Sequence, residues 1–180
     1  LFTVYDRNEI ITPHHYEIIG VEDGYKFDLG NGYVIEAIHL PGHTSGQCAY
    51  YDHQNKTIFI GDVTGIGSSP KDHPYKDFYT VEAMYHALKK LQPRFPEIAG
   101  VFPGHGMIDL TNAYLQYLMN CTESILKNPS WYDEFKVIER WGNVRHIYFK
   151  NIHQGTSIRY SDDCIYQSEN SSFERKPAKQ

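Results

Sequence analysis

The sequence predicts an α/β fold of the α+β type, a mixed sheet with helices packed on one face. Three observations carry that expectation. Short apolar runs separated by turn residues crowd the stretch 26–60. Helical periodicity takes over between residues 78 and 127. Strands first and helices later is the order that lays helices on one side of a sheet. The 180 residues suit one domain with a core of its own, expected over 1–167. The polar stretch 168–180, rich in Ser, Glu and Lys, is expected to be a disordered tail.

Taken in order, residues 1–20 are mixed, with Thr12-Pro13-His14-His15 reading as loop. Lys26–Leu29 and Tyr33–Leu40 read as strands joined by Gly30-Asn31-Gly32, a hairpin signal because Gly and Asn tolerate positive φ. Gln47–Tyr51 and Lys56–Ile60 form a second pair around Asp52-His53-Gln54-Asn55. Gly61 to Pro74 reads as a long Gly-rich loop, a length that is often functional. Phe78, Val81, Met84, Leu88 and Leu91 recur at helical spacing and stop before Pro93. Ala99–Phe102 reads as a buried strand, and Thr111–Lys127 as a second helix with Tyr114, Leu118, Cys121 and Ile125 on one stripe. Pro129 as a first helical residue and Gly142 as a stop predict a third helix over Ser130–Trp141, whose Trp131, Tyr132, Phe135 and Trp141 would pack it on the sheet. Val144–Phe149 and Thr156–Tyr160 read as short strands.

Composition narrows the function classes. The formal charge is −5 and no Lys/Arg run occurs, so the electrostatic footprint of a nucleic-acid binder is missing. No apolar stretch approaches the roughly 18 residues of a membrane span, and no charged-then-apolar leader suggests secretion. The three cysteines, Cys48, Cys121 and Cys164, are scattered without a C-x-x-C pair. They read as small buried hydrophobes of a protein in the reducing cytoplasm. The chain opens on Leu1 rather than Met, which reads as a piece of a longer polypeptide.

Three segments carry chemistry: Leu40-Pro41-Gly42-His43-Thr44-Ser45-Gly46, Ile60-Gly61-Asp62 and Val101-Phe102-Pro103-Gly104-His105-Gly106. Each sets a metal-capable side chain just past an apolar strand. Two imidazoles and a carboxylate on strand-end loops suit a borderline cation such as zinc. His43 follows a tight Pro-Gly turn, Asp62 needs a cation to balance its charge near a core strand, and His105 lies between two glycines. His73 and Tyr75, in the long loop after Asp62, are candidate substrate contacts. His39 reads as packing, and the remaining histidines as surface residues.

With those motifs in place, the stretch from about Asp23 to Gly106 resembles the second half of the metallo-β-lactamase superfamily fold, most of all its glyoxalase II-type hydrolases. The resemblance implies an αββα sandwich of two similar halves, with a two-metal site at the sheet edges between them. It implies that His43 is the third His ligand of one metal, that Asp62 bridges both metals and is the catalytic carboxylate, and that His105 binds the second. Zinc is the usual metal, with iron or manganese in some members. One departure is large: the His-x-His-x-Asp-His cluster that supplies most remaining ligands is absent, and His14-His15 has the wrong spacing to replace it. Another is that Asp62 stands where several true β-lactamases carry Cys, which points away from β-lactam hydrolysis.

The resemblance therefore implies a metal-dependent hydrolase of an ester, thioester or related bond in a small molecule. This chain would be its C-terminal portion, with an incomplete two-metal site and little activity alone. The alternative is a non-catalytic interaction module or dimerising half-domain, forming a homodimer or docking with a missing N-terminal half through an uncovered sheet face.

Overall fold

A computed structural model describes residues 15, 17–66, 72–140, 142–153, 155–168 and 171–179. Strands β1 (Lys26–Asp28), β2 (Val34–His39), β3 (Cys48–Asp52) and β4 (Thr57–Gly61) come first, followed by helix α1 (Val81–Leu91) and strand β5 (Gly100–Pro103). Helix α2 (Ala113–Lys127) and strands β6 (Glu134–Arg140), β7 (Asn143–His153) and β8 (Thr156–Tyr160) complete the order. The first five strands form one sheet in the order β1-β2-β3-β4-β5, and β6-β7-β8 form a second. Pairing is antiparallel from β1 to β4 and parallel between β4 and β5, the mixed sheet expected.

That pairing decides where the chemistry lands. Two antiparallel steps make β2 and β4 run the same way, and the α1 crossover makes β5 parallel to β4. The loops that follow β2, β4 and β5 therefore leave from one edge of the sheet, and they carry His43, Asp62 and His105. Next to that edge the β4/β5 register shifts between Phe59 and Gly61, and Gly104 N–H donates to the Gly61 carbonyl at 2.8 Å.

Alternation explains the two faces of the large sheet. Ala49, Tyr51, Ile58, Ile60 and Val101 point into a core that Met84, Leu88, Leu115, Leu118 and Ile125 of the helices fill. Thr80 caps α1 by accepting from Ala83 N–H at 3.0 Å. Arg94 ties helix layer to sheet. Its guanidinium stacks over Tyr51 at 4.8 Å and forks onto Glu36 at 2.9 and 3.1 Å, while His53, expected at the surface, reaches the same carboxylate at 2.8 Å. Cys121 and Cys164 are buried as expected, and burial pushes their thiols up to about 12 and about 11. Among the described residues no helix is long and apolar enough to cross a membrane.

The third helix is a correction. Residues 134–140 form strand β6, paired antiparallel with β7 from Glu134↔Phe149 to Arg140↔Asn143. Gly142, at φ 73°, serves a tight hairpin rather than a helix stop. The pattern Phe135, Val137, Glu139 has period 2 as well as a loose helical fit. The deciding partner is Tyr148 across the sheet, whose ring meets those of Tyr132 and Phe135 at 5.0 and 5.4 Å between ring centres and that of Tyr160 at 5.5 Å on its other side. Trp131 instead lies under the Lys150 ammonium at 4.3 Å, and Trp141 lies outside the described residues, as do His14 and Thr12. Of the segment expected to be a tail, residues 171–179 run along the body: Ser172 N–H donates to Glu82 at 2.8 Å and Lys179 N–H to Ser130 at 2.8 Å.

Candidate metal centre

His43, Asp62 and His105 meet. The Nε2 of His43 lies 3.5 Å from Oδ2 of Asp62, and the Nε2 of His105 lies 3.2 Å from Oδ1 of the same carboxylate. Asp62 thus stands between two imidazoles, one on each oxygen. The side chains of His43 and Asp62 are about two-thirds covered, whereas His105 is 79% exposed, so one side of the cluster is open. Among the described residues, no group of three or more His, Cys, Asp or Glu side chains has the geometry of a metal site.

The backbone prepares each donor. His43 Nδ1 contacts the carbonyl of Gly65. A carbonyl only accepts, so Nδ1 carries the proton of that contact, and Nε2 is the ring atom turned toward Asp62. Gly104 leaves room for the carboxylate, because a Cβ there would stand 2.5 Å from Asp62 Oδ1 and 3.2 Å from the Gly61 carbonyl carbon. By type, two imidazole nitrogens and a carboxylate are donors that zinc or a similar borderline cation accepts, although their spacing here is not that of a metal site. It is a partial set, since a zinc ion usually takes three or four protein ligands of its own.

The other expected site residues lie apart. His73 packs its ring against Tyr79 at 5.4 Å and accepts from Tyr75 N–H at 3.2 Å. Neither His73 nor Tyr75 lines the cavity of about 340 Å³ beside the cluster. Tyr79 in turn meets Ser45 of the His43 loop, hydroxyl to hydroxyl at 3.4 Å. His39 packs as expected, its Nε2 on the Ser45 carbonyl at 2.7 Å and its ring against Phe78.

What motif reading missed is the wall opposite. Phe149, Ser157 and Arg159 of the second sheet line the cavity with His43, Asp62 and His105. Arg159 N–H donates to the Thr64 carbonyl at 2.7 Å, and Ile66 N–H donates to the Arg159 carbonyl at 2.9 Å. The expected strand Thr156–Tyr160 held the one available signal, with Ile158 and Tyr160 buried and Ser157 and Arg159 facing the other way.

Comparison with known proteins identifies the family. The family model described as the metallo-beta-lactamase superfamily matches residues 3–126. The probable polyketide biosynthesis zinc-dependent hydrolase BaeB of Bacillus velezensis is 30% identical over 140 residues, covering 72% of this chain and 52% of that protein. The hydroxyacylglutathione hydrolase GloC of Haemophilus influenzae is 37% identical over 79 residues, covering 42% and 35%. The acyl-coenzyme A thioesterase MBLAC2 of Gallus gallus is 29% identical over 85 residues, covering 47% and 30%. The chain thus spans between 30% and 52% of the length of these relatives.

Proposed function

The chain belongs to the metallo-beta-lactamase superfamily, and on that premise we propose that it supplies part of the centre of a zinc-dependent hydrolase acting on a thioester or ester. The observation that carries the proposal is the carboxylate of Asp62 set between the Nε2 atoms of His43 and His105. Names of two relatives, hydroxyacylglutathione hydrolase and acyl-coenzyme A thioesterase, denote thioester substrates and support that bond type.

His43, Asp62 and His105 would hold zinc, which when bound supplies a Lewis acid and lowers the pKa of water to about 7. The chain's own residues do the positioning. Gly65 keeps the His43 ring in the tautomer whose Nε2 is free. Asp62 accepts a hydrogen bond from the attacking water and aims its oxygen at the carbonyl carbon. In the net reaction a carbon–oxygen bond forms, the carbon–sulfur or ester bond breaks, and the departing thiol or alcohol takes up a proton. His73 and Tyr75 would meet only a substrate arm that extends past Ser45. Iron or manganese would satisfy the same donors.

The test is metal uptake by the full chain, read by equilibrium dialysis and elemental analysis beside thioester turnover. Weak zinc binding, fewer than two ions per chain and little turnover are expected. His43→Ala and Asp62→Ala should each weaken zinc binding by at least about 10- to 100-fold, in the range known for disturbed ligand shells. Two-metal occupancy with ordinary turnover would overturn the partial-site proposal. Zinc uptake indifferent to both substitutions would overturn the site itself.

A second reading rests on the outer face of the large sheet. Tyr50 and Phe59 are 43% and 47% exposed there, and Phe59 stacks on Phe102 at 5.5 Å. An exposed aromatic patch of this kind favours association, and a second copy of the chain is the occupant whose matching face is known. Sedimentation at micromolar concentration should then show a dimer that Phe59→Lys dissociates. A stable monomer would count against it.

A further inference from the structure

We propose that Arg159, with Ser157 beside it, binds an anionic group of the substrate, a carboxylate or a phosphate, next to the bond that is cut. The inference rests on the hydrolase proposal above and narrows its substrate class. Three observations support it. Ser157 and Arg159 are two apart on β8, so their side chains leave the same face of the strand, and Phe149 is the cross-strand partner of Arg159 on that face. All three line the cavity that holds His43, Asp62 and His105.

The backbone that carries the guanidinium is anchored beside the metal-binding loops. Both backbone polar groups of Arg159 are bonded into the loop after β4. A Cβ on Gly65 would lie 3.3 Å from Arg159 Nη2 and 3.5 Å from His43 Nδ1, so cation and candidate ligand flank the same residue. Finally, the charge has a vacancy to fill. Among the described residues Arg159 has no carboxylate partner within ion-pair distance, although Arg94, Lys90, Lys127 and Lys150 each have one. In a chain of net charge −5, a guanidinium without a carboxylate partner among the described residues, at the mouth of the site, draws an anionic substrate in against the overall field. The planar fork then orients it through paired hydrogen bonds.

The experiment measures binding alone, by amide and guanidinium NMR shifts on the full chain without added metal. S-acetylthioglycolate, a thioester bearing a carboxylate, is compared with its neutral amide and with inorganic phosphate. The carboxylate probe should shift Gly65 and Arg159 signals and bind at least about tenfold more tightly than the amide, the scale of one charge-assisted bidentate pair. Arg159→Gln should remove that advantage, Arg159→Lys should keep part of it, and Ser157→Ala should weaken binding by a few-fold. Phosphate binding more tightly than the thioglycolate assigns the subsite to phosphoryl groups, and the reverse order assigns it to carboxylates. Equal binding of acid and amide, or an Arg159→Gln protein with unchanged melting temperature and unchanged affinity, overturns the proposal. Zinc plays no part in these readouts, so failure of metal uptake or hydrolysis leaves the subsite separately tested.

Discussion

Replacing Gly42 by alanine should cost the fold about 3–4 kcal/mol and displace His43. Gly42 has φ +134°, and a Cβ built there would stand 2.7 Å from Met84 Cε and 2.9 Å from Met84 Cβ. The Cε end of Met84 can swing away, but its Cβ is fixed to α1, where Met84 is fully buried. Two penalties add: roughly 1–3 kcal/mol for a side chain in a left-handed conformation and roughly 1–3 kcal/mol for overpacking. Against a domain stability of about 5–15 kcal/mol, the loss will be plain in a urea titration. Gly46→Ala is the control four residues on, since its Cβ would meet nothing within 4 Å. If the two variants unfold at the same urea concentration, the pairing of the His43 turn with α1 is wrong.

Glu82→Ala should lower stability by about 3 kcal/mol and expose the segment after Tyr166 to protease. The Glu82 side chain is fully buried on the first turn of α1. Gln167 N–H donates to it at 2.9 Å, Ser172 N–H at 2.8 Å, and the hydroxyls of Ser171 and Ser172 at 3.1 and 3.2 Å. Each buried donor left without an acceptor costs about 1–3 kcal/mol, less whatever the segment recovers by swinging into water. Glu82→Gln keeps the shape and part of the bonding, and should fall between. Proteolysis of residues 167–179 at the wild-type rate in Glu82→Ala would refute the anchoring role.

The same carboxylate sets an acid limit. Burial would raise Glu82, but the hydrogen bonds from Gln167, Ser172 and Ser171 outweigh it and hold it below the ordinary 4.5. Glu36 behaves alike, with burial outweighed by Arg94 and His53. A carboxylate depressed in the folded state binds fewer protons there than when unfolded. Its contribution is therefore complete above about pH 4.5 and disappears as pH falls through the folded value. Neither group changes stability between pH 5 and 8, and Glu82→Ala should flatten the decline seen below that.

The distance between sequence and structure is uneven along the chain. Where apolar alternation and turn residues agreed, as in the hairpin around Gly30-Asn31-Gly32 and in strand Thr156–Tyr160, the elements formed within a residue or two of expectation. Where two periods fitted the same residues, as over 134–140, helix and strand could not be told apart locally. The strand prevailed because Phe135 and Tyr148 stack across β6 and β7, a partner more than ten residues away. Arg159 was passed over for the same reason, since its meaning depends on the loop it touches.

His43, Asp62 and His105 are legible from local chemistry, because each motif couples a donor side chain to a strand end and a glycine that bends the backbone. That much the amino-acid order determines by itself, together with the family to which such motifs belong. Tertiary structure alone decides that the three share one edge. The running direction of β2, β4 and β5 is a property of their hydrogen-bonded pairing and not of any one strand. It alone decides, too, that the second sheet brings a cation to that edge. A guanidinium on β8 comes to the same glycine, Gly65, as the His43 ring only because the backbone of Arg159 pairs with Thr64 and Ile66, some ninety residues earlier in the chain.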